Sequence, residues 1–281
     1  MTIHLVTDTA CDVPAKYIEQ YGIHVLSAYV HFGTEESLKD EVDISREEFY
    51  RRLPISDPLP TTSAYSPGEA EVLLRQLLTN DDDQVLCIHL SGKLSSIIES
   101  TRVAAKTIGS DRITIIDSLS LSMGGGWQVI AAAEAIAAGK TLDEVIAVVK
   151  DMQSRFALYA APSTMEYLRR SGRINALVAG LGELLDIKPM ILVNTGEAEN
   201  AGRIRTFKKV KQKFLQMVRE NAPLERLAIL HINNPEGAEE LRQQLVDVSP
   251  EGNTEVVIAS AAIGANFGPG GLGIVYVREE S

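Results

Sequence analysis

A chain of 281 residues with 45% hydrophobic and 23% charged side chains can bury a substantial core and does not have the composition of a disordered protein. Its 38 acidic and 27 basic residues leave a formal net charge of −11, which argues against nucleic-acid or anionic-membrane binding, since both need basic patches. With two cysteines in apolar settings, Cys11 and Cys87, and no signal-peptide or membrane-length apolar run, a cytoplasmic protein with free thiols and no stable membrane insertion is expected.

From the N-terminus, residues 3–7 form an unbroken apolar run, as in a strand buried on both faces, and Asp8 to Asp12 follow as a loop. Pro14 suits the first turn of a helix reaching Gly22, with Asp12 as its cap. A second strand is expected over 25–32, then an exposed acidic loop over 33–43. A capping box at Ser45 and Glu48 opens a helix ending near Leu53. Pro54, Pro58 and Pro60 make the next segment extended and rigid. It leads into Thr61, Thr62 and Ser63. Ser66 and Glu69, with Pro67 between them, form a second capping box. Ser66 therefore has a structural task, whereas Thr61, Thr62 and Ser63 read either as donors to a carboxylate or phosphate or as a solvated turn.

Asp81, Asp82 and Asp83 read as a solvated charge run, because no complementary metal ligands lie near them in sequence. Residues 85–106 are the most informative stretch: a β-like run, the small-residue turn Ser91-Gly92-Lys93-Leu94-Ser95-Ser96, and a helix start. Unpaired first-turn amides and the helix dipole favour an anion there, so an acidic ligand is expected with its head near Ser95. A strand over 113–117 follows. Residues 119–138 are apolar on every face and contain Gly124, Gly125, Gly126 and Trp127, which predicts a buried, closely packed helix rather than a phosphate loop. Thr141 and Glu144 form a third capping box, opening a helix to Ser154.

Beyond residue 156 the pattern changes. Expected are a strand over 156–160, a helix over 163–170, an apolar segment over 176–185, and a strand over 187–193. A glycine-rich turn with Arg203 and Arg205, a basic helix over 208–220, a strand over 227–232, a helix over 235–246, and strands over 255–260 and 272–277 complete the chain. The order predicts two α/β domains. Residues 1–157 form a mostly parallel sheet flanked by helices, residues 158–281 a mixed sheet with helices, and a ligand crevice lies between them.

Catalytic templates are not met. No serine occupies a Gly-x-Ser-x-Gly elbow, and His4, His24, His31, His89 and His231 lack metal-ligand spacing. His4, His89 and His231 fall in apolar strands, as hydrogen-bonded core histidines do. The densest glycine run, residues 264–273, lies between two expected strands. It reads as a connection that brings backbone close to a ligand. No metal or cofactor is expected.

Taken together, these pieces resemble the DegV family of bacterial fatty-acid-binding proteins, the group that includes the FakB carriers. Thr7-Asp8-Thr9-Ala10-Cys11-Asp12-Val13-Pro14 is similar to its opening Thr-Asp-Ser-x-x-Asp-Leu-Pro, and Thr62-Ser63-Ala64-Tyr65-Ser66-Pro67 to its Thr-Ser-Gln-Pro-Ser-Pro. The serine turn, Arg170-Ser171-Gly172-Arg173-Ile174 and Gly268-Pro269-Gly270-Gly271-Leu272-Gly273 match further motifs in the same order. The resemblance implies a carrier that buries a long-chain fatty acid and has no chemistry of its own. Thr62, Ser63, Ser91, Ser95, Ser96, Asn266, Gly268 and Gly270 would bind the ligand. Arg173, Arg203 and Arg205 would dock a separate fatty acid kinase that makes the acyl-phosphate. The chain departs from the pattern at Asn266, where the family often has His, and at Lys93 and Ser96, which replace glycines. Asn cannot become cationic. Two other classes remain open: an enzyme acting on a phosphorylated small molecule, with glycine loops as phosphate cradle, and a ligand-responsive regulatory protein.

Overall fold

The computed structural model describes residues 2–172 and 188–280. The apolar run at the N-terminus forms β1 (Ile3–Asp8), which pairs in parallel with β2 (His24–Leu26) on one side and β6 (Gln84–His89) on the other. With β7 (Ile113–Asp117) this gives a four-stranded, all-parallel sheet of order β2-β1-β6-β7. The chain leaves β1 for one edge, through α1 (Ala15–Tyr21), and later returns to the opposite side, through α3 (Pro67–Leu77). The switch point of the sheet therefore lies between β1 and β6. Ligands of open parallel sheets bind outside the strand carboxyl ends at such a point.

The strand expected over 25–32 is divided. Thr9 Oγ1 accepts from the amide of Ala28 at 3.1 Å, and the chain turns out of the parallel sheet there. Beyond the turn, β3 (Tyr29–Phe32) pairs antiparallel with β4 (Glu36–Lys39) and with β5 (Thr61–Ser63). Two segments read as loops, 33–43 and 61–63, thus contribute strands to a small third sheet. Asp12 is not the cap of α1, whose N-cap is Pro14 without a side-chain bond. The two capping serines and the capping threonine do accept as expected, Ser45 from Glu48, Ser66 from Glu69 and Thr141 from Glu144; at Ser66 and Thr141 the Glu also bonds back.

The second sheet has six strands in the order β10-β9-β8-β13-β11-β12, antiparallel except for the pair β11 (Leu224–His231) and β12 (Thr254–Ile258). Its other members are β8 (Phe156–Ala161), β9 (Lys188–Val193), β10 (Glu199–Ile204) and β13 (Leu272–Arg278). Residues 199–204, read as a turn, are an edge strand with a bulge where Asn200 Oδ1 accepts from the amide of Gly202. The boundary expected at 157/158 falls inside β8. Helices α6 (Leu142–Arg155) and α7 (Glu166–Arg170) precede and follow β8, and outer helices α8 (Phe207–Glu220) and α9 (Pro235–Gln244) bury one face each, through residues such as Phe214 and Leu241.

Helix α5 (Met123–Ala137) lies between the two larger sheets, touching β1 and β6 on one side and β8, β11 and β13 on the other. That position explains a helix apolar all round, with Trp127 fully buried. Its glycines are a packing requirement: a Cβ at Gly126 would stand 2.6 Å from the carbonyl oxygen of Cys11. One apolar core runs from Leu5 and Ile88 of the first sheet through Trp127 and Ile130 to Val275 and Val277 of the second.

The glycine run contains a helix the sequence did not announce. Residues 261–267 form α10 (Ala261–Phe267), pressed so closely on Tyr50 that a Cβ at Gly264 would collide with the phenol. Tyr50 and Arg46 belong to α2 (Arg46–Arg52), and both bond back to this region, Tyr50 to the carbonyl of Ala259 at 2.9 Å and Arg46 to that of Ile258. Asp12 completes the junction: it accepts from the Ser260 amide at 2.8 Å and from the Ser122 hydroxyl at 2.5 Å, and pairs with Arg46 at 3.2 Å.

Burial pushes the carboxyls of Asp12 and Asp40 up to about 6, with the buried Arg46 guanidinium pulling the other way. A folded pKa above the unfolded one means that stability from these groups is complete below about pH 4 and is lost as pH rises through 6. Asp40→Asn should therefore gain on the wild type between pH 4.5 and 7, by about 1–3 kcal/mol. Urea denaturation across that range checks the sign; a variant that instead loses ground as pH rises would show that Arg46 holds Asp40 ionised.

Candidate functional site

A cavity of about 560 Å³ opens at the switch point, within the range of small-molecule sites. Its floor is the carboxyl end of the parallel sheet, with Ala10 after β1 and Leu90 after β6. One wall is the second sheet, through Leu158, Ala160, Ile191 and Val193, and another is α10, through Ile263 and Phe267. Most of the lining is aliphatic. The uncharged polar side chains come from three places: Thr62 and Ser63 on β5, Ser95 and Ser96 before α4 (Ile97–Ile108), and Asn266 on α10.

Asp8 fixes the floor. Its carboxylate accepts from the amide of Ala10 at 2.9 Å, from the amide of Leu90 at 3.0 Å and from His89 Nδ1 at 3.0 Å, all of them buried. On the other side of the ring, Nε2 lies 3.0 Å from Thr101 Oγ1 of α4, and Thr101 is 2.8 Å from the Tyr65 hydroxyl. Burial pushes the Tyr65 phenol well above its ordinary range, so it remains a donor. This chain ties both sides of the switch point, the helix after the serine turn and the segment after β5 to one another.

Several amides of the serine turn are already bonded within the fold. Amides of Lys93, Leu94 and Ser95 all bond to Ser91, that of Gly92 to Asp117, and that of Ile97 to Ser95 Oγ at 3.3 Å. The amides of residues 92–95 and Ile97 are thus committed within the fold, and Ser95, Ser96 and Ile97 line the cavity. Ser91 itself is buried and donates to the carbonyl of Gly196 at 2.8 Å, outside the cavity lining.

Of the remaining sequence candidates, Asn266 donates to the carbonyl of Ala262 at 2.7 Å and lies 3.5 Å from Thr62 Oγ1, at the limit of a hydrogen bond. Ser63 is 2.9 Å from Nε2 of His31, a residue whose sequence context gave no signal. Gly268 and Gly270 lie outside the lining. Gly268, with φ of +80°, backs onto the Tyr167 ring, and Gly270 onto Ser163. Arg203 and Arg205 are exposed at the far edge of the second sheet, and Arg173, with the apolar segment 176–185, lies outside the described residues. Both glycine clusters are packed against side chains or backbone and form no open phosphate cradle. Among the described residues no group of three or more His, Cys, Asp or Glu could hold a metal, and no helix is long and apolar enough to cross a membrane.

The family model of uncharacterised DegV proteins matches residues 2–279. The chain belongs to the DegV family. A DegV domain-containing protein from Deinococcus radiodurans is 30% identical over 280 residues, covering 98% of each chain. A fatty-acid-binding DegV family protein from Thermus thermophilus superposes with a TM-score of 0.90 at 30% identity, over 99% of this chain and 100% of the other. DegV from Bacillus subtilis, a fatty acid binding protein, does so with a TM-score of 0.85 at 27% identity, over 99% and 100%.

The Ser91 hydroxyl is the buried bond between the serine turn and the tip of the β9–β10 hairpin. Ser91→Ala leaves the Gly196 carbonyl unpaired and should lower stability by about 1–3 kcal/mol. Hydrogen exchange at residues 194–198 should accelerate. Unchanged stability and exchange would show that the hydroxyl does not anchor the hairpin.

Proposed function

We propose that this DegV protein is a carrier that buries a long-chain fatty acid in the cavity between its two larger sheets. The observation that carries the reading is the cavity itself: aliphatic along the second sheet, with hydroxyl and amide side chains supplied by Thr62, Ser63, Ser95, Ser96 and Asn266. The carboxylate lies at those side chains and the alkyl chain runs past Leu158, Ile191 and Val193. The fatty-acid binding of the Thermus and Bacillus relatives supports the same ligand class.

The energetics fit a carrier. Each buried methylene contributes about 0.8 kcal/mol, so the alkyl chain supplies most of the affinity. Hydroxyl donors suffice to hold and orient a carboxylate. A separate kinase then receives the presented acid and forms the acyl-phosphate, while this chain supplies binding and orientation only.

Denaturing mass spectrometry of the purified protein should release a long-chain acid, and stripped protein should rebind one. Release of nucleotides or sugar phosphates, with no rebinding of a long-chain acid, would contradict the reading. Thr62→Val should weaken acid binding by about 1.5–3 kcal/mol if the hydroxyl donates to the charged head. Unaltered affinity would place the head elsewhere.

A further inference from the structure

Among the described residues that line the cavity, two carry charge, Lys93 and Glu197, and they face each other. Lys93 Nζ is 2.8 Å from Glu197 Oε1, with the two side chains 53% and 58% exposed. They come from different parts of the chain. Lys93 belongs to the turn at the end of β6, and Glu197 to the tip of the β9–β10 hairpin, which the Ser91–Gly196 bond holds against that turn. The inner contact is buried and neutral, so it keeps the hairpin in place. The outer one is a solvated ion pair at the mouth, easily exchanged for another partner.

Ser95 and Ser96, on the same turn as Lys93, line the same cavity and offer it neutral hydroxyls. Among the described lining residues, Lys93 is the cation on the turn that carries these hydroxyls. Its long stem lets the ammonium move between Glu197 and the cavity without displacing the backbone. An anionic head that takes Lys93 leaves Glu197 unpaired beside a second negative charge. A neutral head group makes no such exchange.

We propose that Lys93 is the residue that makes the cavity prefer a carboxylate to a neutral head group, and that Glu197 is a built-in competitor that holds Lys93 until an acid displaces it. The inference rests on the carrier reading above. It assigns the two members of one ion pair opposite effects on the same ligand, which a pair that merely clasped the hairpin would not have.

The test compares hexadecanoic acid with hexadecan-1-ol, two probes of equal chain length that differ in head-group charge. Affinities for both are measured by titration of the stripped full-length protein at neutral pH. Lys93→Met should lower the acid-to-alcohol affinity ratio about fivefold, and Glu197→Gln should raise it by roughly two- to fivefold. Raised salt should shrink the wild-type ratio. Equal ratios in the wild type and both variants, or a change in the same direction in both, would overturn the assignment while leaving the carrier reading intact. Failure of the wild type to bind either probe would overturn both.

Discussion

The carboxylate of Asp8 is the point on which the cavity depends. A parallel sheet leaves its strand ends open where the chain order reverses, and here that gap lies between β1 and β6. Asp8, at the end of β1, accepts from Ala10 in its own loop and from Leu90 at the end of β6, closing the gap with buried hydrogen bonds. Through His89 and Thr101 the same group reaches α4 and Tyr65. Thr62 and Ser63 of β5 and Ser95 and Ser96 of the serine turn thereby line one mostly aliphatic cavity. A buried charged acceptor with an unfilled partner costs much more than one fully bonded, so this network favours a single arrangement.

The α10 wall of the cavity depends on a second buried cluster. Asp12 and Arg46 join the loop after β1 and helix α2 to the start of α10, and Tyr50 lies under Gly264. These contacts hold Ile263, Asn266 and Phe267 against the cavity although α10 is only two turns long. Breaking one partner of such a pair is costly because it leaves the other charge buried. The two clusters share the short segment between Asp8 and Asp12, which gives the opening motif of the family a physical role in this chain: it braces both the floor and one wall.

How much of this was legible in the sequence depends on how local the cause was. Capping at Ser66 and Thr141 is decided within four residues, and the structure has both boxes. The all-round apolar helix around Trp127 announced its burial. The split of residues 25–32 was hidden, because it is made by Thr9, nineteen positions away from Ala28. Asp12 looked like a helix cap because nothing near it in sequence reveals Ser260 as its partner. Residues 264–267 read as part of a connection because glycine weighs against helix, and the reason for Gly264 is a tyrosine on another element. The hydroxyls of Thr62, Ser95 and Ser96 stood out as residues without a structural task or at a helix start. The pairing of Lys93 with Glu197 did not, since it exists only once the second sheet's hairpin docks on the serine turn.

A crystal structure of the protein with hexadecanoic acid tests the central claim most directly. The alkyl chain should lie along Leu158, Ile191 and Val193, with the carboxylate within hydrogen-bonding distance of the Thr62 hydroxyl. An acid bound outside this cavity, or reversed so that its carboxylate lies among those aliphatic side chains, would contradict it.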